Sequence, residues 1–345
     1  MKPAAITYLV TRTHGLRTHL ITSRDIQFLA KTKNLREVSD NLLKTEYGTE
    51  IGKLPTKEVD ASTLEDIFLK TLVDRYFLIT REAQGKMREL LTAYCTRFEV
   101  ENIKRILRAK HGNKISEEPS LIPLPREYTL ANFQALLNAK DIDEVVGLLR
   151  ETAYRSLSQK LELYRQGDVT IILEAALDDV YFGRLWRLVE DVSDGAGLKD
   201  LIGAEIDLRN LLITFSLKAR DLSANLIDEV LISSSHRLPL RRLRALTKGR
   251  LEDAPSILTT PPFSKLASAA LTTVSAGSSR PLEGIFLKEL YGEAYAALRT
   301  RFLDAGYVIA YLLLCECEAR NLVTIATGKQ LAVSEEQISQ NLFDV

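Results

Sequence analysis

Apolar residues in this chain recur at intervals of three and four. Val308, Leu312, Cys315, Ala319, Leu322 and Ala326 fall on one helical face, and Leu136, Leu137, Val145, Leu148 and Leu149 behave likewise. No sustained period-two alternation bounded by hairpin turns interrupts this pattern. Ser334-Glu335-Glu336-Gln337 has the form of a capping box at the start of a last helix. The pattern predicts an all-α fold, each part a bundle of several helices.

The chain also repeats itself. Glu99, Asn102 and Lys110 are matched by Asp207, Asn210 and Lys218, and again by Glu318, Asn321 and Lys329. In each copy an acid is followed three residues on by Asn, then Leu or Ile, then Lys eight past the Asn. The three Asn residues lie 108 and 111 positions apart. Upstream, Tyr76, Tyr181 and Tyr295 precede their Asn by 26, 29 and 26 residues, each with an acid two places before it: Asp74, Asp179 and Glu293. A further block, Thr45-Glu46-Tyr47, corresponds to Thr152-Ala153-Tyr154 and, less faithfully, to Pro261-Pro262-Phe263. The extra residues of the second copy fall at Ser193–Gly197, a loop-like insertion. Units of about 110 residues can each support a small core, unlike solenoid repeats of 20 to 50. The expected domains are 1–119, 120–236 and 237–345, with Pro- and Ser-rich joints near 117–125 and 233–239.

Composition narrows the function classes. Lys+Arg and Asp+Glu both number 46, leaving no basic excess of the kind a dedicated nucleic-acid binder carries. Hydrophobic residues at 46% and charged residues at 27% are those of a packed globular protein. The three cysteines, Cys95, Cys315 and Cys317, form no spaced framework, which suits a reducing compartment. The most apolar run, Ala305 to Cys315, is about half the length of a membrane span, so a soluble protein is expected.

Catalytic chemistry has no sequence support. No Gly-rich dinucleotide fingerprint or P-loop occurs, and His14, His19, His111 and His236 lack zinc-site spacing. Cys315 and Cys317 point about 200° apart on a helix and read as packing residues. Asp178-Asp179 lacks the further Asp that metal-assisted prenyl transfer needs, position 182 being Phe. The acid–Asn pairs read as internal bracing, Asn binding a neighbouring helix end or loop. Arg237–Arg250 holds six basic side chains and no acid, but Leu240, Leu243 and Leu246 give it a buried stripe. It reads first as a solvated helix face, then as a surface for an acidic protein, and least as a nucleic-acid contact. No catalytic residue, cofactor, metal site or small-molecule substrate is expected.

Tyr311-Leu-Leu-Leu-Cys-Glu-Cys-Glu-Ala-Arg-Asn-Leu-Val-Thr-Ile-Ala-Thr-Gly-Lys329 resembles the signature of the C-subunit family of archaeal (A-type) and V-type ATP synthases, whose eukaryotic counterpart is the d subunit of the V-type ATPase. Tyr8–Arg12, Leu42–Tyr47 and Phe98–Lys110 agree, so the resemblance covers essentially the whole chain. It implies three similar helical domains in a funnel of pseudo-threefold symmetry. It further implies a non-catalytic central-stalk component of a rotary ATPase, a socket that seats on the membrane proteolipid (c/K) ring and receives the D and F stalk subunits. Such a component serves ATP synthesis or proton or sodium transport from the cytoplasmic face of the membrane, held there peripherally through protein partners. Cys315, Cys317 and the Pro261-Pro262 block depart from the family pattern. Two rival readings are a helical repeat scaffold or adaptor unrelated to rotary motors, and a helical enzyme, which would need a pocket of converging acids or His that the sequence does not offer.

Overall fold

The computed structural model describes residues 3–55, 59–112, 119–192, 195–275 and 282–344. Among these there are 18 α-helices and no strand, so the fold is all-α. The insertion at 193–197, the first joint at 117–125 and the end of the small-residue stretch 266–279 lie partly outside the described residues.

The chain packs as two compact units. One comprises 1–91, 193–197 and 291–345, so the two ends of the chain fold together. Its centre is the helix Gly306–Gln330, which is buried on nearly every side from Gly306 to Ala319. That burial exceeds the single stripe read from the sequence, because the helix packs along Ala61–Glu82 and also against Pro3–Arg17 and the short helices Ser23–Lys31 and Leu35–Leu42. Leu322, Ile325 and Ala326 share one core with Ile26, Leu29, Val38, Leu42, Leu64 and Phe68. Three short helices here are capped by side chains, Thr22, Asn34 and Ser334 each accepting a backbone N–H in the first turn, and Asp60 does the same for the long helix Ala61–Glu82. At Ser334 the box is one-sided, since the hydroxyl donates to the Gln337 side chain at 3.1 Å.

Gly306 opens the central helix under a tight constraint. A Cβ there would stand 2.7 Å from the Gly197 carbonyl carbon and 2.9 Å from its Cα. Backbone cannot swing aside as a side chain can. Gly306→Ala is therefore expected to lower stability by about 1–3 kcal/mol despite alanine's better helix propensity; a thermal melt at or above the wild-type midpoint would contradict this packing.

The other unit comprises 92–192 and 198–290. Its long helices Ile171–Glu190 and Ala196–Lys218, with the helix that ends at His111, carry a core that includes Leu173, Phe182, Leu185, Ile202, Leu211 and Phe215. Two buried ion pairs lie there: Lys104 with Asp178 at 2.5 Å and Arg97 with Glu205 at 2.7 Å. Leu136, Val145 and Leu149 are buried as their spacing predicts, whereas Leu148 faces solvent at 44% exposure. The spacing places Leu148 on the apolar face, but the helix is only Ile142–Leu148 and its last residue turns outward.

Candidate functional site

The repeated acid, Asn and Lys do one job three times. Each triplet lies on a long helix: its acid and Lys hold the two ends of a short helix ahead of or within the next repeat around, and its Asn holds a separate stretch of main chain.

The acid takes the start of the short helix. Glu99 accepts the N–H groups of Leu130 and Ala131 at 2.6 and 2.7 Å, just ahead of the helix Phe133–Asn138. Asp207 accepts those of His236, Arg237 and Leu238 at 2.9, 2.7 and 3.0 Å, ahead of Leu240–Lys248. Glu318 accepts the N–H of Ile21, ahead of Ser23–Lys31. The Lys takes the other end of the same short helix. Lys110 donates to Leu137 O at 2.7 Å, Lys218 to Thr247 O and Gly249 O at 3.0 and 2.8 Å, and Lys329 to Ala30 O at 2.6 Å. Acid and Lys are eleven residues apart in each copy, a rise of about 16 Å. The long helix is thus a ruler that places a negative charge at the positive end of a helix dipole and a positive charge at its negative end.

Asn grips the main chain of a single residue outside that short helix. Asn102 donates to Ile122 O at 2.9 Å and accepts from Ile122 N–H at 2.7 Å. Asn210 treats Ile232 the same way at 3.2 and 2.8 Å, and Asn321 treats Phe343 at 2.9 and 2.8 Å. An amide is the side chain that can satisfy one residue's donor and acceptor together.

The third repeated block supplies a further partner. Tyr154 donates to Glu99 at 2.8 Å and Tyr47 to Glu318 at 2.6 Å. Burial pushes the phenol of each well above its ordinary range, with the facing carboxylate adding to the effect, so both remain neutral donors. In the remaining copy the ring is Phe263, which has no hydroxyl, and the acid is the shorter Asp207, which takes a third N–H instead. Burial raises the Asp207 carboxyl above the usual carboxylate range against the pull of those three bonds.

The bracket that joins the chain ends carries an additional charge. Arg75 pairs with Glu318 at 2.7 Å and with Glu46 at 2.9 Å. Burial opposes the Arg75 charge most strongly of any single influence, but Glu318 and the neighbouring groups together outweigh it and hold the guanidinium firmly protonated. Val180 and Ala294 stand at the corresponding places, immediately before Tyr181 and Tyr295.

Tyr76 and Tyr181 are buried and donate to backbone carbonyls, of Leu312 at 3.0 Å and Tyr94 at 3.3 Å. Tyr295 departs from them: it is 37% exposed, and its ring lies 5.9 Å from the Arg299 guanidinium carbon. Of the neighbouring acids, Asp179 accepts both the N–H and the hydroxyl of Ser233 at 2.8 Å, while Asp178 belongs to the Lys104 ion pair.

No cluster of His, Cys, Asp and Glu suited to a metal occurs among the described residues. All three cysteines are buried thiols outside any disulfide, and burial pushes the Cys315 thiol up to about 12. A disulfide reagent at neutral pH is expected to leave the folded protein unmodified and to titrate three thiols once it is unfolded; rapid labelling of the native protein would contradict that packing.

The family model for the ATP synthase (C/AC39) subunit matches residues 9–341. The chain is 25% identical to the C subunit of the A-type ATP synthase of Methanocaldococcus jannaschii, over 99% of this chain and 87% of that one. It is 26% identical to the protein of the same name from Archaeoglobus fulgidus, covering 98% and 96%, and 24% identical to that of Methanosarcina mazei, covering 97% and 92%. The chain therefore belongs to the ATP synthase (C/AC39) subunit family. No described helix is long and apolar enough to cross a membrane.

Proposed function

We infer that the chain is the non-catalytic central-stalk socket of an A-type rotary ATP synthase, joining the D and F stalk subunits to the membrane proteolipid ring. The observation that carries this reading is the third bracket. Glu318 and Lys329, near the C-terminus, hold Ile21 and Ala30, near the N-terminus, as Glu99 and Lys110 hold the second repeat and Asp207 and Lys218 the third. Each repeat thereby braces the next and the last braces the first. That connectivity supports three domains, 1–119, 120–236 and 237–345, closed about a pseudo-threefold axis. A closed set resists twisting, because no domain can rotate without straining two brackets, and a torque-bearing adaptor needs that property. Attachment to the ring is peripheral, on the cytoplasmic face, and the coupling ion is a proton or sodium.

The ring-facing surface we assign is the stretch of the helix Phe263–Ser275 from Leu266 to its end. Leu266, Ala267 and Ala270 face inward. Ser268, Thr272 and Thr273 turn their hydroxyls back onto carbonyls of their own helix, which leaves a low, weakly charged surface for close approach. The test is to isolate the native assembly through a tag on this chain and identify its subunits by mass. Recovery with proteolipid and stalk subunits is expected; recovery without them would favour a scaffold outside the rotary motor.

A further inference from the structure

The brackets use the backbone of the six-cation segment Arg237–Arg250 and leave several of its side chains unused. The helix Leu240–Lys248 turns Leu243, Leu246 and Thr247 inward and leaves Arg241, Arg244 and Lys248 exposed. Steps of three and four put these cations on one face, a stripe about 10 Å long. Neighbouring cations are engaged: Arg242 donates to Thr259 and Thr260, and Arg250 pairs with Glu252. The side chains of Arg241, Arg244 and Lys248 have no hydrogen bond or ion pair among the described residues.

Helix stability does not account for them. The first turn contains no acid, so Arg241 sits at the positive end of the dipole, and the like charges at three and four spacing repel one another. The equivalently bracketed helices differ: Ser23–Lys31 has Asp25 in its first turn, and Phe133–Asn138 carries no charge. The scaffold repeats three times, but the cationic stripe occurs on one copy.

We propose that this stripe docks an acidic segment of a partner protein; that the partner is a subunit of the same complex rests on the function inferred above. Three cations spaced over 10 Å match carboxylates three and four residues apart on a facing helix. A lipid surface fits less well. Each surface cation contributes about 1 kcal/mol toward an anionic leaflet, and stable anchoring needs a second, apolar signal. None of the exposed large apolar side chains lies in 237–250. Nucleic acid fits least, since the segment has no aromatic residue to stack a base.

The test is carbodiimide coupling in intact membranes, which joins an amine to a carboxylate without a spacer, followed by mapping of the linked peptides. Lys248 is expected to couple to an Asp or Glu of another subunit, and Lys248→Arg to abolish the link. Rebinding of the R241E/R244E/K248E variant to a complex stripped of this chain should slow by about tenfold or more at low salt, the difference shrinking at high salt. R241Q/R244Q provides the same comparison if the reversal variant fails to fold. Coupling of Lys248 only within its own chain, with unchanged rebinding, would overturn the inference. So would flotation with phosphatidylglycerol vesicles that the same variant loses. Coupling to a partner in an assembly without synthase subunits would sustain the docking and defeat the functional reading; synthase subunits without coupling would do the reverse.

Discussion

Arg75→Ala is expected to destabilise the protein by about 3–5 kcal/mol, the cost of leaving a buried carboxylate without its cation. Glu318 and Arg75 are each about 5% exposed. The cations on the Glu318 helix are already engaged, Arg320 with Glu316 and Lys329 with Ala30 O, so neither replaces the lost charge. Tyr47 and the Ile21 N–H remain, but both are neutral donors. The double variant Arg75→Met/Glu318→Gln removes both charges while the Gln carbonyl still accepts one of those bonds. It should recover much of the loss, because an apolar pair of similar volume is often no worse than a buried ion pair. Thermal melts of Arg75→Ala, and of the cycle formed by wild type, Arg75→Met, Glu318→Gln and the double variant, measure the effect. A single variant within about 0.5 kcal/mol of wild type would show that the pair does not hold the chain ends.

The Asn residues should show an order as well as a size. Asn102→Leu leaves the N–H and C=O of Ile122 unpaired inside the protein, and each orphaned group costs roughly 1–3 kcal/mol. Asn210→Leu does the same to Ile232. Both Asn side chains are fully buried. Asn321→Leu should cost less, since its partner Phe343 is half-buried near the chain end and water can reach the freed backbone. Asn102→Asp is a sharper probe: it keeps the acceptor for Ile122 N–H but sets a carboxylate against Ile122 O. Chemical denaturation of the three Leu variants should place Asn102 and Asn210 together and Asn321 below them. Equal losses, or the reverse order, would contradict the account.

The triplication was legible because its residues hold backbone rather than one another. A side chain that grips main-chain N–H and C=O is indifferent to the partner's identity, so Glu99, Asn102 and Lys110 could recur while their surroundings changed. Tyr47 and Tyr154 were visible as a repeat, but their role was not, since the acids they meet lie 271 residues ahead and 55 behind. Phe263 has the look of a degraded copy in the sequence. The ring without a hydroxyl coincides with the shorter acid Asp207, which takes three backbone N–H groups. Arg75 escaped sequence reasoning because it does not repeat; its only signal was a charge where the other copies have Val180 and Ala294. Tyr295 misled for the opposite reason, since spacing alone cannot report that one copy's ring has turned outward. The union of the chain ends left no trace in periodicity, because Glu318 and Ile21 are 297 residues apart.

Coupling tests the central claim most directly. Membrane complexes prepared without this chain, and the same complexes after it is added back, can be assayed in parallel for ATP hydrolysis and for ATP-driven proton or sodium pumping. A torque-bearing socket predicts that hydrolysis by the soluble head persists without the chain, that pumping stops, and that adding the chain restores pumping. Undiminished pumping in its absence would contradict the account.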